Sequence, residues 1–218
     1  MASRVIHYIV GLRITEMVKL KTPERFLFGN MLPDCVDSPG GRKKGDPKAG
    51  SHFWDINEEL HIKGQNWNRF WDKYEKYRED ELYLGYVCHL VTDAVWARDI
   101  APIKKKHLQK KHEWLYRDYH RLNELLREKF HPVLPEMNWI ENEIEEVNQS
   151  IWEWYQQALL NELEENTGAK KEELEYITYD RILTFIDTAA SVASDEIRAK
   201  KEKRNGLNPV SFYVPEDF

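Results

Sequence analysis

The stretch Tyr83-Leu84-Gly85-Tyr86-Val87-Cys88-His89-Leu90-Val91-Thr92-Asp93-Ala94-Val95-Trp96 decides the fold class. Leu82, Tyr86, His89, Asp93 and Trp96 recur at spacings of three and four, which is the period of one helix face. His89 and Asp93 stand four apart, so they project the same way one turn apart. Gly85 lies one turn before His89, where the missing side chain lets another group approach the backbone. An aspartate in mid-helix among Leu84, Val87, Leu90, Val91 and Val95 is costly to bury unless it is paired or bound to metal. Imidazole nitrogen together with carboxylate oxygen suits zinc and similar divalent ions. A hydrogen-bonded His–Asp pair inside the core, or an exposed polar stripe, would have the same spacing.

The helical period continues on both sides. Val5, Ile6, Ile9, Leu12, Met17 and Leu20 mark a first helix, and Thr22-Pro23 reads as an N-cap followed by proline at the first helical position. The short helix from Arg25 to Met31 stops before Pro33, because the residue preceding proline avoids the α conformation. Trp67, Phe70, Trp71, Tyr74 and Tyr77 form a further stripe. Later helices are predicted at about residues 113–130, 138–165 and 179–201. Residues 35–50 read as a long basic loop, with Arg42, Lys43, Lys44 and Lys48 among its glycines and prolines. No run of alternating apolar and polar residues reads as a strand. The expectation is an all-α, single-domain helical bundle over residues 1–204, followed by an irregular, loosely held tail over 205–218.

Composition narrows the function classes. A chain of 218 residues suits one domain. Mean hydropathy is −0.72, and no segment approaches the ~20 apolar residues that span a bilayer. No membrane span is therefore expected, and the first residues lack the apolar run of a signal peptide, which reads as a cytoplasmic chain. With 32 basic and 38 acidic side chains the net charge is −6, which argues against stable nucleic-acid binding. Cys35 and Cys88 are too few for a disulfide framework, and Cys88 reads as a small buried apolar residue.

Three more residues join the His89–Asp93 pair. Asp34 ends Gly29-Asn30-Met31-Leu32-Pro33-Asp34, His52 sits in Ser51-His52-Phe53, and His7 lies on the apolar side of the first helix. In this order the chain resembles the zinc-dependent phospholipase C and single-strand nuclease superfamily, in particular its small bacterial members. The resemblance covers about residues 3–125 and implies an all-helical fold of the zinc-dependent phospholipase C type. It implies a central ion held by Asp34, His52, His89 and Asp93, and a second ion held by His7 with Asp93 bridging. At the third ion the match frays: the position six residues after the bridging aspartate is Asp99, where the family has histidine. Aspartate still suits a divalent ion. The later His-x-x-x-Glu of the family aligns with His120 and Glu124, and Asp118 is a competing candidate on the same helix. One or two zinc ions are expected, with manganese or iron(II) as alternatives.

The function this implies is a metal-dependent hydrolase acting on a small phosphoric ester. Asp34 would serve both as ligand and as proton acceptor, and Arg42, Lys43 and Lys44 would orient the phosphate. A reading of another class is a non-catalytic helical module whose structural or vestigial metal site binds a partner or small ligand. The departures at Asp99 and at the N-terminus, where no cleaved amine is expected, support it. An HD-type phosphohydrolase needs an adjacent His-Asp pair, and no histidine here precedes an aspartate. His61, His107, His112 and His131 read as surface or loop residues. The run Lys104 to Lys111 reads as a solvated face.

Overall fold

Residues 81–96 are buried without exception, which makes α5 (Glu81–Asp99) the axis on which the other helices pack. The computed structural model describes residues 1–36, 47–100, 108–166 and 168–215. Among these, α1 (Arg4–Met17), α2 (Pro23–Met31), α3 (Pro47–Ser51), α4 (Trp67–Lys73), α6 (Leu108–Phe130), α7 (Trp152–Glu164) and α8 (Tyr179–Lys201) complete an all-α bundle. Among the described residues, no helix is long and apolar enough to cross a membrane.

Three of the long helices start where the sequence offers an acceptor. Ser3, Asp80 and Thr178 cap α1, α5 and α8 by accepting from the N–H groups of Ile6, Leu82 and Arg181. Thr22 precedes Pro23 at the start of α2, but its hydroxyl donates to Glu81 rather than capping the helix. The same carboxylate accepts from the backbone N–H groups of Lys21 and Thr22, tying the α1–α2 turn to the first residue of α5.

The contact of α2 with α5 is made by two glycines. A Cβ on Gly29 would lie 1.9 Å from the Leu82 carbonyl oxygen, and one on Gly85 would lie 2.0 Å from the Phe26 carbonyl oxygen. At these points the helices meet backbone to backbone, and no larger residue fits. The group admitted beside Gly85 is thus a neighbouring helix.

Three sequence expectations are corrected. The predicted helix over 138–165 begins only at Trp152, after a 3₁₀ turn at Gln149–Ile151. Upstream, the chain runs without helix against Tyr74, α5 and Cys35. There the Tyr83 and Tyr74 hydroxyls accept from the N–H groups of Glu143 and Glu145, and the Cys35 carbonyl accepts from Asn148. These partners satisfy the backbone without helix, so tertiary contacts override propensity. Strands do occur: β1 (Trp54–Asn57) and β2 (Ile62–Gln65) form an antiparallel hairpin, with Trp54 opposite Gln65. β3 (Val214–Pro215) joins the other edge of β2. Four-residue strands are too short to display an alternating pattern. The segment after Asn205 also docks, because Phe212 is buried with its ring 5.5 Å from that of Trp67.

Candidate metal centre

Four chain segments converge at the Gly29–Gly85 crossing. His7 comes from α1, Asp34 from the 3₁₀ turn that continues α2, His52 from the residue after α3, and His89 and Asp93 from α5. His7, His52, His89 and Asp93 are buried, and the Asp34 side chain is 10% exposed. Their ligand atoms fall into two overlapping groups, Asp34–His52–His89 and His7–His89–Asp93, each with its atoms within 4.8 Å of one another.

The rings are aimed by backbone and hydroxyl partners. His89 Nδ1 lies 2.9 Å from the Asn30 carbonyl oxygen, which can only accept, so Nδ1 carries the proton. The Ser51 hydroxyl donates to the Pro33 carbonyl at 2.7 Å, leaving its oxygen to accept from His52 Nδ1 at 3.0 Å. With the ring proton on Nδ1, the Nε2 lone pair of each ring faces the centre, and the two Nε2 atoms stand 3.2 Å apart. Neighbouring lone pairs at that distance repel unless a cation lies between them. The His52 Nε2 atom is also 3.6 Å from Asp34 Oδ1 and 3.5 Å from Asp93 Oδ2. Zinc–ligand bonds of about 2.0–2.1 Å in a tetrahedron put adjacent donor atoms about 3.3–3.4 Å apart. The donor set thus suits a zinc ion in both chemistry and spacing.

The second group shares Asp93. Its Oδ2 atom faces His52, while Oδ1 lies 3.3 Å from His7 Nε2 and accepts from the Ala2 N–H at 3.0 Å. The His7 ring stacks on His89 with centroids 3.7 Å apart, and neither His7 nitrogen has a hydrogen-bond partner. Asp93 Oδ2 is likewise buried without one. Such orphaned atoms on buried, convergent ligand types fit a second cation with Asp93 between the two.

The charge states suit ligation. Burial opposes ionisation of Asp93, but contact with His7, the N-terminus and His52 hold its carboxyl well below the usual range. Burial, joined by repulsion from His7, pushes His89 well below the usual imidazole value despite the pull of Asp34 and Asp93. Burial also opposes ionisation of Asp34, but the Lys48 ammonium beside it outweighs burial and lowers its pKa. The Lys48 ammonium is 2.6 Å from Asp34 Oδ1. Phe53, directly after His52, holds a left-handed φ of 47°, a strained conformation for a bulky residue that turns the chain from α3 toward β1.

The other sequence candidates stand outside both groups. Asp99 pairs with Arg98, its neighbour at the end of α5. Asp118 accepts from the N–H groups of Glu175, Tyr176 and Ile177, so it organises the approach to α8. His120 is exposed and faces Glu165. Glu124 is buried and accepts from the Ala169 N–H. Arg42, Lys43 and Lys44 lie outside the described residues. Sequence reasoning assigned no role to Asn30 or Ser51. Both adjoin candidate ligands inside the quoted motifs, and that adjacency was the available signal for residues that orient imidazoles. Asn30 also donates from its side chain to the His7 carbonyl at 2.7 Å, joining α1, α2 and α5 through one residue.

Comparison with known families identifies one match. The profile described as zinc dependent phospholipase C covers residues 6–197, and the chain belongs to that family. Comparisons with curated proteins and with solved structures find no match.

Proposed function

We propose that this member of the zinc-dependent phospholipase C family is a metal-dependent hydrolase of phosphoric esters. Its ions would be held by Asp34, His52, His89 and Asp93, and by His7 with Asp93. The observation that supports the reading most is the meeting of two imidazole Nε2 atoms 3.2 Å apart between the Asp34 and Asp93 carboxylates. Zinc in such a site acts as a Lewis acid and lowers the pKa of water from ~15.7 toward neutrality.

The protein side of the chemistry follows from the groups around that point. Burial keeps His89 neutral, and Ser51 and Asn30 hold the His52 and His89 rings with their Nε2 atoms toward the centre. Asp34, ionised and at the edge of the cluster, accepts the proton released when water attacks phosphorus. Lys48 lies beside Asp34 and can hold a phosphoryl oxygen. Arg42, Lys43 and Lys44 precede it in the chain and would add to the capture of phosphate. The substrate is a small phosphoester, and the compartment is the cytoplasm.

The test is elemental analysis of protein purified without added metal or chelator, paired with hydrolysis of p-nitrophenyl phosphate and bis(p-nitrophenyl) phosphate. About one or two zinc ions per chain are expected, with hydrolysis of at least one ester lost on chelation and in His89→Ala. Metal-free protein, or hydrolysis that survives His89→Ala, overturns the reading. Bound metal without hydrolysis of either ester turns it toward the non-catalytic binding module.

A further inference from the structure

Beyond the candidate ligands, one buried group lacks a partner in a telling place. Tyr155 on α7 is fully buried, and its hydroxyl makes no hydrogen bond. Burial raises its pKa well above the ordinary phenol value, and the strongest charge acting on it after burial is the Asp34 carboxylate. The hydroxyl therefore keeps its proton and is a buried donor without an acceptor.

Arg4 of α1, one turn before His7, lies against the Tyr155 ring. Its guanidinium lies 5.9 Å from the Tyr155 ring centroid and 5.7 Å from that of Trp154, and it pairs with Glu162 of α7. That pair leaves donors unused, because guanidinium carries five N–H groups in a rigid fork. Arg4 Nε is buried without a partner, while the side chain as a whole is 29% exposed. Asp34 and Glu162 both act on the Arg4 charge. The neighbouring Ala2 N–H already contacts Asp93, so the start of the chain lies against the centre.

We propose that Arg4 and Tyr155 form an oxyanion site beside the metal centre, holding the non-bridging oxygens of the phosphoryl group. This rests on the phosphoester reading above and adds the residues that recognise the phosphoryl group. The guanidinium offers charge-assisted donors, the phenol a neutral donor, and Glu162 with the two aromatic rings keeps the guanidinium plane in place. Both would bind substrate directly, and neither is a candidate metal ligand.

The test uses zinc-loaded protein titrated with inorganic phosphate by calorimetry, with zinc content measured in parallel. Loss of one charge-assisted donor set predicts phosphate binding weakened about tenfold or more in Arg4→Gln and about three- to tenfold in Tyr155→Phe, with zinc content unchanged. Glu162→Gln frees the guanidinium and is expected to bind phosphate at least as tightly as the wild type. Wild-type phosphate affinity in Arg4→Gln overturns the proposal while leaving the hydrolase reading intact. An equal loss in Glu162→Gln marks a pair that only joins α1 to α7, and also overturns it. Zinc-loaded wild type that binds no phosphate removes both the proposal and the phosphoester reading. Should Arg4→Gln fail to fold, Arg4→Lys keeps the charge opposite Glu162 but lacks the Nε donor. It is expected to weaken phosphate binding severalfold, and wild-type affinity there overturns the proposal.

Discussion

Asp93 and Asp118 are both fully buried aspartates on long helices, yet their surroundings are opposite. Asp118 accepts from three successive backbone N–H groups at 2.9, 2.6 and 2.9 Å and from the Arg121 guanidinium at 3.2 Å. Asp93 has one backbone donor, from Ala2 at 3.0 Å, and its Oδ2 atom has no hydrogen-bond partner. Imidazoles from three directions approach Asp93 instead, two of them with lone pairs aimed at the same space. A saturated buried carboxylate is part of the scaffold. One left short of donors, among groups that are also short of partners, marks a place for a cation.

The sharpest way to break this contrast is to remove one charge at a time. Asp93→Asn is expected to weaken zinc binding by at least ~1,000-fold, beyond the 10–100-fold typical of outer-shell changes. Its metal-free form should unfold within about 1 kcal/mol of the wild type, since the lost carboxylate satisfies few donors. Asp118→Asn should do the reverse, keeping zinc while destabilising the fold by about 3–4 kcal/mol as buried N–H groups and Arg121 lose their acceptor. Elemental analysis together with denaturant unfolding reads both. If Asp118→Asn loses zinc, or Asp93→Asn costs as much stability as Asp118→Asn, the distinction between the two carboxylates fails.

A smaller effect sharpens the account of how the rings are aimed. Ser51→Ala removes the acceptor that orients His52, and a 10–100-fold loss of zinc affinity, about 1.4–2.8 kcal/mol, is expected in competition with a chromophoric chelator. An unchanged affinity would mean that the His52 tautomer is set by something other than Ser51. Smallest of all, His120→Ala touches an exposed pair with Glu165 and should change stability by no more than about 0.5 kcal/mol, with zinc content unchanged.

Much of the site was legible because its chemistry is locally written. His89 and Asp93 share a helix face, Pro33 precedes Asp34, and the glycines at 29 and 85 punctuate otherwise regular helices. Arg4, Asn30, Ser51 and Tyr155 were not legible as functional residues. Each is a common residue type, and its role comes from a partner 18 to 158 positions away, as in the Ser51–Pro33 and Arg4–Glu162 contacts. The choice among Asp99, Asp118, His120 and Glu124 was closed to sequence reasoning for the same reason. Spacing places residues on one helix face, but it does not say which neighbouring element has already supplied their hydrogen bonds.

The sequence by itself determined the all-helical class, because the three-to-four periodicity is a property of each segment alone. It also determined the Asp/His ligand types, since nitrogen and carboxylate donors restrict the ions that bind. Tertiary structure decided where residues 138–151 go, drawing them out of a helix by tyrosine hydroxyls that satisfy their backbone. It also decided which buried aspartate is saturated and which is left open. Donor supply to a buried carboxylate is a sum over elements distant in the chain, and only the folded arrangement performs that sum.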